Sequence, residues 1–341
     1  MDYLKLVLSL AQECVRNAPV IVLGSGASAA HGIPGMKPLG DTLVASSPPG
    51  TGHDRDFTSW GAFCEKLKET DLESALTEVH LTEAMTTHVV TTTWKYLNPF
   101  DVKVFDQVIA NRRMLPLSRL FSHLFDSTHS TIHVVTPNYD RIAEYAAEAA
   151  GFAAYTGFTY GSIGQRADKA PRMMQGKAEI RTVSVWKVHG SFGWFVDKDG
   201  LVTALPPRLS LPAEMQPVII TPGIEKFRLT HDEPFRSIMA SSDSALRTAD
   251  AFLCVGFGFN DTHLQSLLLE RCHVQGVPLV LITMEISTKA KSLFAGGKFA
   301  RFMALENCAE GTRLYCNEAP DGVVLEGVKL WQLSQFLNLV M

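Results

Sequence analysis

The 341-residue sequence predicts an α/β fold: a mostly parallel sheet flanked by helices, with a helical subdomain inserted in it. Three observations predict it. Short apolar runs rich in β-branched residues recur at 20–23, 132–136, 182–188, 251–255 and 278–283. Runs of this length suit strands covered on both faces. Most of the runs end in Gly, Asn, Asp or His, and helix-like segments follow several of them. Finally, residues 60–125 show a helical period with Pro99 and Pro116 as breakers, which predicts two to four helices between the first strand and the next.

Composition bounds the function. A hydrophobic share of 46% with 19% charged residues supports a packed core and excludes a disordered chain. The net charge of -4 carries no nucleic-acid footprint, and the densest basic cluster, residues 166–181, is diluted by Asp168 and Glu179 and reads as a solvated loop. No direct nucleic-acid binding is expected. Cys14, Cys64, Cys254, Cys272, Cys308 and Cys316 form no C-x-x-C pair, so neither a zinc ribbon nor a disulfide framework is signalled and no metal is expected. Reduced thiols fit a cytoplasmic protein. No run approaches the ~18 apolar residues of a membrane span, so a soluble chain is expected. By length and pattern, residues 1–341 form one domain, with 56–130 as the helical insertion and 287–341 as a C-terminal extension.

In chain order, Tyr3, Leu4, Val7, Leu8, Ala11, Cys14 and Val15 fall on one helical face, which predicts an amphipathic packing helix rather than a signal peptide. Residues 18–39 follow. The run Val20-Ile21-Val22-Leu23 stops at Gly24-Ser25-Gly26-Ala27-Ser28, a strand, turn and helix start that presents backbone amides to an anion as dinucleotide-binding sheets do. Ala29 occupies the third glycine position of the G-x-G-x-x-G fingerprint, so the Rossmann-like signal is approximate. Residues 40–58, with Ser46, Ser47, Pro48, Pro49, Gly50 and Gly52, predict an irregular loop, and residues 36–52 a lid.

The strand at 132–136 delivers Asn138 and Asp140 past its carboxyl end, before a helix running to Ala150. Either residue caps that helix or lines a ligand pocket. The next strand ends in His189-Gly190-Ser191, followed by a hairpin turning at Asp199-Gly200. His189 is structural or catalytic, and Gly190 allows close approach. After 251–255 come Gly256 and Gly258, suited to a second close approach, then Asn260 and Asp261, one or the other of which caps the following helix. The last run ends near Glu285, a carboxylate placed for ribose hydroxyls or simply exposed.

Taken in order, Gly24-Ser25-Gly26-Ala27-Ser28 with Gly32-Ile33-Pro34, Thr136-Pro137-Asn138-Tyr139-Asp140, His189-Gly190-Ser191 and Val255-Gly256-Phe257-Gly258 resemble the sirtuin-like domain family, over roughly residues 19–286. The nearest likeness is to its bacterial anti-phage defence branch. The resemblance implies that Gly24, Ser25, Gly26, Ala27 and Ser28 hold NAD phosphates. It implies that Asn138 and Asp140 line the nicotinamide and ribose pocket, that His189 is the catalytic base, and that Gly256, with Phe257 and Gly258, contacts the adenosine ribose. Two departures separate the chain from the protein deacylases: it lacks their paired-cysteine zinc ribbon, and it carries Gly35-Met36-Lys37 where they have Asp-Phe-Arg.

The resemblance therefore implies an NAD glycohydrolase that takes NAD as substrate and releases nicotinamide and ADP-ribose. It also implies an effector that depletes NAD on phage infection, held off by homo-oligomerisation or by a partner such as a HerA-type ATPase or an Argonaute protein. With no sensor segment read after about Leu330, a separate partner is expected. The alternatives are a non-catalytic module that senses NAD or ADP-ribose and drives assembly, and a zinc-free protein deacylase.

Overall fold

The computed structural model describes residues 2–48, 50, 53–221 and 232–341. Its elements begin with α1 (Tyr3–Arg16), β1 (Val20–Leu23), α2 (Ser25–Ala29) and α3 (Met36–Ala45). Four helices then separate β1 from the next strand: α4 (Asp54–Glu69), α5 (Leu72–Glu78), α6 (Glu83–Ala110) and α7 (Pro116–Phe125). After them come β2 (Thr131–Thr136), α8 (Ile142–Ala149), β3 (Ala153–Tyr155), β4 (Met174–Gln175), β5 (Ala178–Glu179), β6 (Thr182–Lys187), β7 (Gly190–Val196), β8 (Val202–Ala204) and β9 (Gln216–Ile219). The remainder is α9 (Phe235–Thr248), β10 (Phe252–Val255), α10 (Thr262–Leu269), which continues as a π turn over Glu270–Val274, β11 (Leu279–Thr283), α11 (Thr288–Ala295), β12 (Phe302–Cys308), β13 (Gly311–Cys316), β14 (Ala319–Glu326) and α12 (Leu333–Val340).

The central sheet has the order β14-β13-β12-β11-β10-β1-β2-β6-β3. From β12 to β3 every pairing is parallel, while β13 and β14 add an antiparallel hairpin at one edge. This is the mixed α/β architecture that the apolar runs predict. Its strands are covered on both faces, and side-chain alternation divides them. Ile21, Leu23, Val134, Leu253 and Val280 pack one way with Phe121, Ala146 and Phe336 of α7, α8 and α12. Val20, Val22, Val135, Phe252 and Leu281 pack the other way with Leu246, Leu268 and Phe294 of α9, α10 and α11. Ile21 and Val22 are both fully buried, and burial of each contributes about 1.5–3 kcal/mol.

A third core joins the inserted helices to a small antiparallel sheet, β8-β7-β9. Phe63, Leu76, Val89 and Trp94 meet Phe192, Phe195 and Ile219 there. Trp94 Nε1 also donates to the Phe192 carbonyl at 2.9 Å, so the insertion is bonded to the strand that follows His189.

The loop expected over 40–58 is corrected. Residues 40–45 belong to α3 and 54–58 to α4, and of the stretch between them 46–48, 50 and 53 are irregular; Pro49, Thr51 and Gly52 lie outside the described residues. Pro38 sits in the first turn of α3, where a proline removes no helical hydrogen bond, and Gly40 faces Leu67 with room for close packing. Residues 287–341 supply β12, β13 and β14, three of the sheet's nine strands.

Candidate active site

The chain leaves β1 for β2 on one side and comes back to β10 on the other, so the carboxyl ends of β1 and β10 flank a topological switch point. Ligands of open α/β sheets bind in the crevice at such a point. A pocket of about 1090 Å³, counting the space open to solvent, lies over these strand ends.

The two glycine loops meet there. A Cβ on Gly24 would stand 2.3 Å from the Gly256 carbonyl oxygen, and one on Gly26 would stand 2.8 Å from the Gly256 Cα. One on Gly256, whose φ is +59°, would stand 2.3 Å from the Ala27 nitrogen. The Gly26 N–H donates to the Gly256 carbonyl at 3.1 Å. These three glycines lock one loop against the other, a backbone-to-backbone contact that a side chain would break. Phe259 beyond them also has a positive φ of +59°, held by its packing on Phe294 and Phe299.

Of the residues singled out in the sequence, Gly24, Ser25, Ser28, Asn138, Asp140, His189, Phe257 and Gly258 line the pocket. Gly26, Ala27, Gly256 and Glu285 do not; the first three stand at the loop-to-loop contact and Glu285 is exposed beyond β11. The fold brings the loops of β1 and β2 together through one hydroxyl. Ser28 Oγ accepts from Asn138 Nδ2 at 2.8 Å and donates to Asp140 Oδ2 at 2.6 Å. Asn138 Nδ2 donates also to the Gly24 carbonyl at 2.8 Å, and Thr136 Oγ1 to that of Leu23 at 2.9 Å.

Asp140 performs both tasks that its position allowed. Its Oδ1 accepts from the Ile142 N–H at 3.2 Å, as a helix cap does, while the carboxyl lines the pocket. Burial pushes that carboxyl above its ordinary value of 3.8, against the opposing pull of Lys187 and Ser28. Beneath it, Arg141 donates to Asp101 from its backbone N–H (2.7 Å), its Nε (2.9 Å) and its Nη2 (2.6 Å). Tyr145 Oη donates to the same carboxylate at 2.7 Å. Asp101 is fully buried, so this pair ties α6 to the start of α8.

His189 lies in the turn between β6 and β7. Gly190 makes that turn with φ +91°, and a Cβ there would stand 2.2 Å from the Val218 carbonyl oxygen. The ring Nε2 is 3.0 Å from Asp261 Oδ2, whereas Asp261 Oδ1 accepts from the Leu264 N–H at 3.0 Å. Sequence reasoning took Asp261 for a cap alone. Its place past the fourth strand end, on the loop carrying Gly256 and Gly258, was the signal that it also faces the pocket. Tyr139, Phe192, Leu39 and Glu73 are further lining residues that the strand-end pattern did not single out. Tyr139 and Phe192 meet edge to face at 5.8 Å and wall the pocket beside the insertion.

Residues 132–278 match the SIR2-like domain family. This SIR2-like segment runs from β2 to the turn before β11 and includes Asn138, Asp140, His189, Gly256 and Asp261. Among solved structures, the chain is similar to one concerned with the mechanism and regulation of Sir2 enzymes (14% identity, 87% of this chain and 90% of that one, TM-score 0.41). It is similar also to a Sir2 homologue in complex with NAD (13%, 89% and 88%, 0.42) and to a mutant Sir2 homologue in complex with ADP-ribose (14%, 85% and 88%, 0.43). No curated protein matches the chain. Among the described residues, no group of three or more His, Cys, Asp or Glu side chains could hold a metal ion, and no helix is long and apolar enough to cross a membrane.

Proposed function

We propose that the chain is an NAD glycohydrolase, cleaving NAD to nicotinamide and ADP-ribose. The observation that supports this reading is the convergence of Asn138, Asp140, His189 and Asp261, from the ends of β2, β6 and β10, on one pocket beside the glycine loop of β1. The SIR2-like match over 132–278 is consistent with it.

Breaking the bond between nicotinamide and ribose builds positive charge on the sugar, as in glycoside hydrolysis, and the cationic leaving group departs without strong acid assistance. The site then has to orient a water and take its proton. Both amide hydrogens of Asn138 are engaged by Gly24 and Ser28, which leaves Oδ1 to accept from the water or from a ribose hydroxyl. His189 is the base, directly or through a ribose hydroxyl, with Asp261 fixing its ring. Asp140 supplies negative charge beneath the developing cation.

A second reading draws on the same bonds. Asn138 and Asp140 are so fully engaged inside the protein that a module that senses NAD or ADP-ribose without turnover would use the same framework. Nicotinamide release by the purified chain, without acyl peptide, decides between them. The glycohydrolase is expected to turn over NAD, and Asn138→Ala, His189→Ala and Asp261→Asn each to lower the rate at least ~100-fold while NAD still binds, the size of general base and orientation effects. Binding without release in the wild type would select the sensor, and release only with acyl peptide would select a zinc-free deacylase. The resemblance in the sequence further supports an anti-phage effector restrained by self-assembly or by a partner such as a HerA-type ATPase or an Argonaute protein. Release measured on the isolated chain against the chain with each partner tests that restraint.

A further inference from the structure

Lys187, the last residue of β6, is 0% exposed, a placement that lysines almost never take unless paired. Its ammonium donates to the backbone carbonyl of Asp140 and lies 3.4 Å from Glu144 Oε1 in the first turn of α8. Both partners belong to the segment that carries Asn138 and Asp140, and Lys187 stands two residues before His189. One buried cation therefore touches both halves of the site.

We propose that Lys187 is a positioning residue of this site: its ammonium clamps the Asp140 carbonyl and the Glu144 carboxylate, and so fixes residues 138–140 against the strand end that delivers His189. What the positioning serves rests on the glycohydrolase reading; the clamp itself does not.

The clamp has an electrostatic consequence. Asp140 is faced by Lys187 from β6, Asp101 from α6, Glu144 from α8 and His31 from the turn after α2, with Arg141 beside it already paired to Asp101. Burial raises the Asp140 carboxyl, Asp101 and Glu144 act in the same direction, and Lys187 is the strongest of the groups that oppose them. Without Lys187, Asp140 holds its proton to higher pH.

The test compares the wild-type chain with Lys187→Met/Glu144→Gln, which removes the buried pair together so that neither charge is stranded. Carbon-13 NMR of the aspartate carboxyls follows the titration of Asp140, identified by the signal missing in Asp140→Asn. Nicotinamide release from NAD is followed against pH in parallel. Measured against Glu144→Gln, which shares the loss of the competing carboxylate, the folded double variant is expected to move the Asp140 titration and the acid limb of the rate up by about 1–3 pH units, the effect of losing an opposite charge within ~4–6 Å. An unmoved Asp140 titration overturns the proposal whatever the rate does. Should that variant not fold, Lys187→Gln/Glu144→Gln keeps a neutral donor in the same place: its Asp140 titration also moves up relative to Glu144→Gln if the proposal holds, and an unmoved one overturns it. A titration that moves as expected in a chain that releases no nicotinamide leaves Lys187 in its role and removes the glycohydrolase.

Discussion

At the scale of single residues, the site depends on side chains that serve two partners at once. Ser28 is 4% exposed, and its hydroxyl links the Asn138 amide to the Asp140 carboxylate. In Ser28→Ala the buried carboxylate loses a charge-assisted hydrogen bond and the amide loses one of its acceptors. Denaturant unfolding is expected to register a loss of about 1–3 kcal/mol. Nicotinamide release should fall at least ~10-fold in kcat, because the water-orienting group is left with its Gly24 bond as its remaining anchor; an unchanged kcat would show that Asn138 needs no second one. This double use limits what the sequence reveals. Asn138, Asp140 and His189 were visible because each stands just past a strand end. Asp261 was visible only as a cap, since nothing local says that its second oxygen reaches a histidine 72 positions earlier. The glycines were legible as sites of close approach, yet Gly24, Gly26 and Gly256 approach each other, a fact that depends on β1 lying beside β10.

At the scale of elements, the 28-residue α6 connects the inserted helices to the site. Asn98 and Asp101, one turn apart and flanking Pro99 and Phe100, both reach Arg141, and Asp101 takes four donors from Arg141 and Tyr145. Asp101→Ala leaves a buried guanidinium without its carboxylate. Breaking such a pair costs about 3–5 kcal/mol, which urea unfolding should show. Because the Arg141 N–H is itself one of the four donors, nicotinamide release should fall in the same variant by shifting the residue next to Asp140. Asp101→Ala with full stability would mean that water replaces the carboxylate. The sequence pattern indicated helices in this region, but α6 has low amphipathicity, with Asn98 and Asp101 on its buried side, and the polar contacts that bury them lie 40 or more residues away. The helix α3 was hidden by the cluster of Ser, Pro and Gly that starts at Ser46, directly after its last residue, and its own Pro38 and Gly40 are harmless where they stand. Its residues Met36 and Leu39 line the pocket, so residues 36–45 of the segment read as a lid form a helical wall.

At the scale of the whole molecule, the parallel sheet was legible because strands covered on both faces leave apolar runs, unbroken in β1, β10 and β11 and interrupted by His133 in β2 and by Ser184 in β6. Strand order was not, since it is fixed by crossovers and not by any local signal. Nor were β13 and β14, an edge hairpin in which β13 is largely buried and β14, Leu325 apart, is exposed or half-exposed. The sheet also brings an unusual density of buried charge beneath the site. Burial raises the carboxyls of Asp140 and Glu144 above their ordinary values. The folded chain therefore binds protons at these positions more tightly than the unfolded chain. Between the ordinary value and the raised one, folding takes up protons, so the stability each group contributes is full at low pH and is lost as the pH rises through its raised value. Glu144→Gln removes one of these groups and leaves the Lys187 ammonium a neutral oxygen to bond. Relative to wild type, the variant should gain stability as the pH is raised above 4.5, the ordinary value for this carboxyl. Urea unfolding of both proteins from about pH 4 to about pH 8 measures the difference, which linkage requires to slope in the variant's favour across that window. A flat difference would mean that Lys187 compensates the burial of Glu144 completely, and the cost of the buried charge would then fall on Asp140 alone.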